Sequence, residues 1–442
     1  MSFLHLPGWS VTSVKESEND YRVEATYEEG TGFYYCVKCG EMFTKMYRHG
    51  TRKQLLMDLP VHGKRVGIEL TRKRYRCTAC GVTFLQQLPD VDERSQMTRR
   101  LARYIEEQSI HRTFTSVAGD VGVDEKTVRN IFRAYVKRLD ETTVFVTPEK
   151  MGIDEVHLLR KPRCVMTNLT ERTIFAVLEK RDKKTVLAHL KAMPQREKVA
   201  LVTMDMWRPY FDSVREALPQ AAVVVDKFHV VRMASQAMEQ VRKALRAGLE
   251  AKARRRLMHD RFILLRRAKD LDEEQKATLA GWSAMFPKLA EAYRLKEAFY
   301  DIWDIPKKAD ALAAYEAWER SITDRELLTA YRPLLTAMLN WREQVFAYWD
   351  HRATNALTEA LNGIAKAAER AGRGYSFEAI RAKMLYTKAL QKQTRRPKYG
   401  EEFGRMLPAD VPLVTFGTDV AGLLRVLEEE AGRRDEPTRR RR

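Results

Sequence analysis

The chain has 442 residues, 44% of them hydrophobic, with 79 Lys and Arg against 60 Asp and Glu and a formal charge of +19, which fits two to four globular domains with sizeable cores. No run nears the roughly 18 to 20 consecutive apolar residues of a membrane span, and MSFLHLPGWS lacks the basic-then-apolar order of a secretory leader, so a membrane role is excluded and a cytoplasmic protein is expected. The positive excess is spread over many segments, and an extended polyanion is its natural partner because each neutralised phosphate releases counterions; charge that merely keeps the protein soluble is the alternative.

Residues 1–95 read as a small β-rich module. Short alternating runs such as Val66, Ile68 and Leu70 in RVGIEL lie between two CxxC pairs, Cys36-Val37-Lys38-Cys39-Gly40 and Cys77-Thr78-Ala79-Cys80-Gly81. Each knuckle can set two thiolates on one tetrahedral Zn²⁺ while the glycine permits the turn beneath, and four sulfurs leave no open position, so the expected site is structural. In a reducing compartment these four read better as ligands than as disulfides. The thirty-seven residues between the pairs suit a ribbon with strands between its knuckles. The metal would hold up a module too small to fold alone. Arg65, Arg72, Lys73, Arg74 and Arg76 beside the second knuckle are candidates for phosphate contact or for a solvated strand face.

Residues 96–147 turn helical. In TFTSVAGDVGVDEKTVRNIFRAYVKRL, the residues Val128, Ile131, Phe132, Tyr135, Val136 and Leu139 fall at i, i+3, i+4, i+7, i+8 and i+11, a helical core stripe. Phe114, Val117 and Ala118 mark a shorter helix before it, and Gly122-Val123-Asp124 supplies a turn with Asp124 as N-cap. Two helices joined by a short glycine turn can set the second in a major groove, here with Lys126, Thr127, Arg129, Asn130 and Arg133 facing the bases. A plain helical hairpin is the alternative.

A linker, VFVTPEKM with Pro148, places the next boundary near 148. RCVMTNLT and RTIFAVLEK suggest a hairpin around Glu171; a helical run, VALVTMD, another helix from about 208 and the apolar run AVVVDKFHVV at 222–231 follow. Alternating strands and helices imply a mixed α/β sheet covered on both faces over 148–235. Residues 236–350 are helical, hold five of the seven tryptophans and read as an all-α insertion. A helix at 353–371 returns the chain to the α/β domain, whose final part runs over 351–395. A C-terminal helical segment and basic tail, ending RRDEPTRRRR, occupy 396–442.

Three acids stand where acids are unusual. Asp154 sits in the strand GIDEVHL, Asp205 ends VALVTMD, and Glu359 lies on the late helix within TNALTEALNGIAKAAER. On that helix Leu357, Leu361 and Ile364 form an apolar stripe, while Asn355, Glu359, Asn362 and Lys366 share another face. Acids from two strands and a helix can converge on a pair of Mg²⁺ ions, with Mn²⁺ as a substitute, about 3.5 to 4 Å apart for an in-line phosphoryl transfer. Singly, each acid reads equally as a strand end, a cap or a salt-bridge partner. Asp226 and His229 follow the apolar VVV, the first as a further carboxylate near the metals, the second as a contact to the scissile phosphate or as a core histidine. Because strand side chains alternate, Glu155 is expected to face away from Asp154 and to pair with a basic neighbour.

The order CxxCG, CxxCG, helix-turn-helix, GIDE, MDMWRPY, VVDKFHVVR, TNALTEALNGIAK and GYSFEAIRAKML resembles the ISL-three family of bacterial insertion-sequence transposases, from about Cys36 to Tyr386. The resemblance implies a zinc ribbon and helix-turn-helix followed by an RNase H-like DDE domain interrupted by helices. Carried over by motif, Asp154, Asp205 and Glu359 become the catalytic, magnesium-holding acids, and Asp226 and His229 match a D-x-x-H signature. The family's activity would be recognition of terminal inverted repeats, Mg²⁺-dependent cleavage and strand transfer into target DNA by a homodimer or larger synaptic assembly, nucleoid-associated when on DNA. A catalytically silent DNA-binding regulator and a structure-specific nuclease on the same fold are the alternatives. Arg242, Lys243, Arg246, Lys252, Arg254, Arg255, Arg256 and Arg261 near the start of the insertion form either a DNA-facing or a solvated surface.

Overall fold

The computed structural model describes residues 4–28, 35–42, 46–92, 96–372 and 374–387, so the expected segment at 396–442 lies outside the described residues. The front of the chain builds one sheet from β1 (Trp9–Glu16), β2 (Asp20–Tyr27), β3 (Met46–Val61), β4 (Lys64–Cys77), β5 (Thr83–Leu85), β6 (Val91–Asp92) and β7 (Met97–Thr98). Its order is β1-β2-β4-β3-β7-β6, with β5 on β4. Val66, Ile68 and Leu70 alternate inward as their spacing predicts. The long hairpin β3–β4 turns at His62 and Gly63, both with positive φ (52° and 76°), the two-residue geometry that matches strand twist.

Three helices follow: α1 (Arg99–His111), α2 (Phe114–Val121) and α3 (Glu125–Thr142). Thr98, Thr113 and Asp124 cap them, each side-chain oxygen accepting a backbone N–H of the first turn. Gly122, at φ 74°, ends α2 in the left-handed conformation. Val128, Phe132 and Val136 of α3 are buried, with Ile131, Tyr135 and Leu139 packed against them. Buried Asp58 on β3 accepts from Thr98 Oγ1 at 2.6 Å and Arg100 Nε at 2.8 Å, tying α1 to the front sheet.

The second sheet holds β8 (Lys150–Leu158), β9 (Lys161–Asn168), β10 (Thr173–Leu178), β11 (Leu201–Met204) and β12 (Ala222–Val225), in the order β10-β9-β8-β11-β12. The first three are antiparallel, and β11 and β12 run parallel to β8. Helices α4 (Lys183–Ala192) and α5 (Arg208–Ala217) connect the parallel strands. The apolar run at 222–231 is not one strand: it ends at Val225, because the Asp226 side chain caps α6 (Lys227–Ala247).

Helix α6 leaves the sheet without a break, so position 236 falls inside it, and α7 (Ala251–His259), α8 (Arg261–Leu265), α9 (Glu273–Met285), α10 (Pro287–Ile302), α11 (Lys308–Ser321) and α12 (Arg325–His351) complete the helical region. Its five tryptophans are buried. Trp318 and Trp349 donate their indole N–H to the carbonyls of Leu295 and Ile305, at 2.8 and 2.7 Å, so these large rings serve as core anchors.

Helix α13 (Ala356–Ala371) then crosses β8, and α14 (Phe377–Tyr386) packs on β10 and α1. Lys383 of α14 is buried. Its ammonium donates to the carbonyls of Ser109, of Ile110 at 3.3 Å and of Arg112 at 2.8 Å, the orphan acceptors at the end of α1. The rings of Phe114, Phe132 and Tyr375 enclose it at 5.1, 5.6 and 5.1 Å.

Candidate active site

Strand register brings three acids level. Ile153 pairs with Met204 and Met204 with Val225, so the next residues, Asp154, Asp205 and Asp226, come to one edge of the sheet. From the helices, Glu359 in the first turn of α13 and His229 in the first turn of α6 face them. His229 Nε2 lies 3.0 Å from Asp205 Oδ1 and 3.6 Å from Glu359 Oε1. One donor atom each from Asp226, His229 and Glu359 falls within 4.8 Å of the others. All five residues singled out in the sequence therefore come to one end of the sheet, but the atoms grouped closely enough to share one ion are those of Asp226, His229 and Glu359, with Asp154 and Asp205 outside that group.

The side chains are held by a polar layer that the sequence only hints at. Asn362 Nδ2 donates to Asp154 Oδ2 at 2.7 Å, and the Glu155 backbone N–H to Asp154 Oδ1 at 2.6 Å. Buried Asn355 accepts from Thr358 Oγ1 at 2.6 Å and Thr203 Oγ1 at 3.2 Å, and donates to the Ile153 carbonyl at 3.3 Å. Gly152 permits this contact: a Cβ there would meet Thr358 Oγ1, Asn355 Oδ1 and Thr167 Oγ1 at 2.5, 2.6 and 2.7 Å. A glycine inside an apolar strand was the available signal, since it marks a close approach of another element. Of the polar face expected on α13, Lys366 remains exposed.

Charge at this centre is crowded. Burial, then the neighbouring Asp205 carboxylate, pushes Asp154 up to about 8. Burial raises Asp226, and burial followed by Asp226 raises Glu359. The Asp205 carboxylate raises His229. Asp226 Oδ2 is buried without a hydrogen bond, and Asp205 Oδ1 has the His229 imidazole beside it at 3.0 Å. Crowded carboxylate oxygens with unused lone pairs fit a hard divalent cation such as Mg²⁺.

Glu155 turns to the other face, as expected, and pairs with Arg181 and with His157 Nδ1 at 3.1 Å. The Arg181 guanidinium lies 4.3 Å from the Trp207 ring centre. Glu155, Arg181 and Trp207 join Asp205, Tyr210, His229 and Arg232 around a cleft of about 400 Å³, so Glu155 leaves the strand away from Asp154 yet still borders the site. Arg181 carried no signal in the sequence, and Trp207 entered only within the MDMWRPY motif, with no role of its own.

The cysteines form a second cluster. Sγ atoms of Cys36 and Cys80 are 3.5 Å apart, those of Cys39 and Cys77 3.7 Å, and all four lie within 4.8 Å of one another. Tetrahedral zinc with bonds of about 2.3 Å requires sulfurs about 3.8 Å apart. In each knuckle the glycine N–H donates to the first cysteine's carbonyl, Gly40 to Cys36 at 3.0 Å and Gly81 to Cys77 at 2.9 Å. Backbone N–H groups of Cys39 and Lys38 aimed at Cys36 lower its thiol, while burial and the neighbouring sulfurs push Cys39 up, as expected of thiols crowded together. Two of the five cations nearby, offered for phosphate contact or a solvated strand face, make contacts within the fold instead. Arg72 is buried against Gln54 Oε1 at 2.7 Å and the Gln86 carbonyl, and Arg65 pairs with Asp20 at 2.6 and 2.9 Å.

On α3, Lys126, Asn130 and Arg133 are exposed. The other two expected groove residues are partly used within the fold. Thr127 Oγ1 donates to the capping Asp124 carboxylate at 2.8 Å. Arg129 pairs with Glu125, its Nε is buried, and its guanidinium lies 6.0 Å from the Phe114 ring centre.

Comparisons with known proteins match three stretches of the chain. Residues 151–384 match a family model described as a transposase, of the ISL3 DDE type. Residues 86–136 match the helix-turn-helix domain of transposase family ISL3, and 35–80 the zinc-finger of transposase IS204/IS1001/IS1096/IS1165. The transposase for insertion sequence element IS1001 of Bordetella parapertussis is 23% identical over 376 residues, covering 83% of this chain and 92% of that protein. The transposase for insertion sequence element IS1557 of Mycobacterium tuberculosis is 26% identical over 287 residues, 58% of this chain and 63% of its own.

Proposed function

Because the chain belongs to the ISL3 family of insertion-sequence transposases, we propose that it binds the terminal inverted repeats of an insertion sequence and catalyses Mg²⁺-dependent strand cleavage and strand transfer into target DNA. The observation that carries this is the register placing Asp154, Asp205 and Asp226 level, with Glu359 and His229 opposite them. The catalytic domain is RNase H-like, in two parts at 148–235 and 351–395, with 236–350 inserted between them. The zinc-ribbon module at 1–95, with Cys36, Cys39, Cys77 and Cys80 on structural Zn²⁺, and the helix-turn-helix at 96–147 hold the DNA.

Asp154, Asp205 and Glu359 hold the catalytic Mg²⁺, for which Mn²⁺ can substitute. When bound, the metal supplies an activated water or 3′-hydroxyl and neutralises the leaving oxygen. Asn362 keeps the Asp154 carboxylate turned to the site, and Asp226 closes the acidic wall. His229, bridging Asp205 and Glu359, donates to the scissile phosphate or leaving group once those acids are otherwise engaged. Lys126, Asn130 and Arg133 read or grip the repeat, while Thr127 and Arg129 brace the helix that presents them. Pairing of two ends requires a homodimer or larger assembly.

The test is cleavage of DNA carrying the element's ends in Mg²⁺. Wild type should cut at the repeat boundary and Asp154→Ala should not. Equal cutting by both would overturn the catalytic assignment. No cutting by wild type that still binds the repeat would favour a silent regulator, and cutting governed by branch structure would favour a nuclease.

A further inference from the structure

The cations at the start of the inserted helices are of two kinds. Arg242 is buried, pairs with Glu239 at 2.7 Å and donates to the Leu257 carbonyl at 3.2 Å, so it belongs to the core of the corner between α6 and α7. Arg261 pairs with the same Glu239 at 3.4 Å. Four on α7 are placed differently. Lys252, Arg254, Arg255 and Arg256 are exposed on α7, and none of them makes an ion pair among the described residues.

The helix geometry explains their display. Leu257 is fully buried and fixes the inward side of α7. At 100° per residue, Lys252, Arg255 and His259 fall on the side opposite Leu257, with Arg254 and Arg256 at its flanks. The nearby acids offer little neutralisation. Glu239 is shared by two arginines, Asp260 accepts from the Trp282 indole at 2.7 Å, and Glu250 is the only acid from 248 to 259. Next to this surface stands Phe262, 66% exposed, with the Arg261 guanidinium 5.7 Å from its ring centre. Four exposed cations without acidic partners on one short helix repel one another mildly and leave a local positive field that a polyanion would neutralise. A large exposed ring beside them is the kind of apolar group that packs against sugars or wedges at a base step.

We propose that the α7–α8 corner is a sequence-independent docking surface for duplex DNA lying outside the segment contacted by α3. Lys252, Arg254, Arg255 and Arg256 neutralise phosphates, and Phe262 seats against the groove wall. The proposal rests on DNA being the partner of this chain, and it does not depend on the acids at the strand ends. The surface would hold flanking or target DNA with affinity that falls steeply with salt.

The experiment uses the full-length zinc-loaded chain and a duplex of unrelated sequence, with binding followed over about 50 to 200 mM KCl. Replacing Lys252, Arg254, Arg255 and Arg256 together by Ala should flatten the slope of log affinity against log salt by about 0.9 for each phosphate no longer neutralised. Replacing the three arginines by Lys should keep most of the slope. Phe262→Ala should weaken binding at every salt concentration and leave the slope unchanged, because the ring neutralises no phosphate. Cleavage of a short end substrate that carries the repeat and only a few base pairs of flank should be unaffected in all of them, which also shows that the variants fold. An unchanged slope and affinity in the quadruple variant would overturn the proposal, as would stronger competition by duplex RNA or anionic vesicles than by DNA. Failure of wild type to cut ends would not touch it, provided the quadruple variant still loses salt-dependent binding.

Discussion

Asn362 on α13 donates to Asp154 Oδ2 on β8 at 2.7 Å, across 208 residues of chain. The contact fixes a carboxylate that burial and Asp205 hold near a pKa of about 8. It also makes the late helix responsible for the geometry of the first strand. Partners of this kind typically account for 10- to 100-fold in activity or metal affinity. Asn362→Ala should therefore slow end cleavage by about 10- to 100-fold, with binding of the repeat intact. A single-turnover rate within twofold of wild type would show that Asp154 needs no such orienting bond.

Gly152 sets how closely α13 can approach. A Cβ would sit 2.5 to 2.7 Å from three oxygens, two of them on α13 or its cap. Gly152→Ala should push the helix away and cost about 1 to 3 kcal/mol, the usual range for overpacking. Cleavage should fall further than stability does, because Glu359 and Asn362 ride on the same helix. Combining Gly152→Ala with Thr358→Ala removes one of the three clashing groups and should recover part of the melting temperature. No recovery in a thermal melt would place the strain elsewhere.

Asp154 and Glu155 are neighbours with different tasks. Asp154 stands with the other acids, while Glu155 braces Arg181 beside Trp207 on the other face. Asp154→Ala should abolish cleavage. Glu155→Gln keeps the shape and loses a partly exposed ion pair, an interaction worth at most about 1 kcal/mol, so the rate should fall less than about tenfold. Equal loss from both, measured as initial cleavage rates, would mean that Glu155 works directly on the DNA or the metal.

Much of this arrangement was legible in the sequence because local rules governed it. The knuckles read from Cys-x-x-Cys-Gly, the Asp124 cap from its turn, and the opposite faces of Asp154 and Glu155 from strand alternation. What escaped depended on contacts distant in sequence. The strand Ala222–Val225 stops where it does because Asp226 caps a helix, and the apolar residues continuing to 231 gave no sign of the change in period. Arg72 looked like a phosphate contact until the fold turned it inward to Gln54 and Gln86. Arg181 and Trp207 form a surface only through tertiary packing, and no spacing could announce them.

The four cysteine sulfurs are spaced for one tetrahedral ion. Removing it leaves the long β3–β4 hairpin without its clamp at the knuckle end, while the second sheet keeps its own core. A strong chelator, or Cys77→Ser, should lower the melting temperature of the front module and weaken DNA binding. Rescue by added Zn²⁺ but not Mg²⁺ is expected after chelation, because soft thiolates discriminate between them. Binding and melting that ignore the chelator would show that the front module stands without zinc.

Lys383 joins the DNA-binding helices to the last helix of the catalytic part, and its burial lowers its pKa to about 8 from the usual 10.5. Between those two values the unfolded chain keeps a proton that the folded chain has released. Stability should therefore rise with pH through that window, since it increases wherever the unfolded state binds more protons. Below about 8 both states are protonated, and the folded chain carries the full cost of the buried charge, offset by the three carbonyls and the aromatic cage. Lys383→Met removes the titration and the carbonyl caps together. The difference in unfolding free energy between wild type and Lys383→Met should widen in favour of wild type as pH rises from about 8 towards 10.5, and stay level below 8. A difference that is flat across the whole range, measured by denaturant titration, would mean that the lysine keeps an ordinary pKa in its cage.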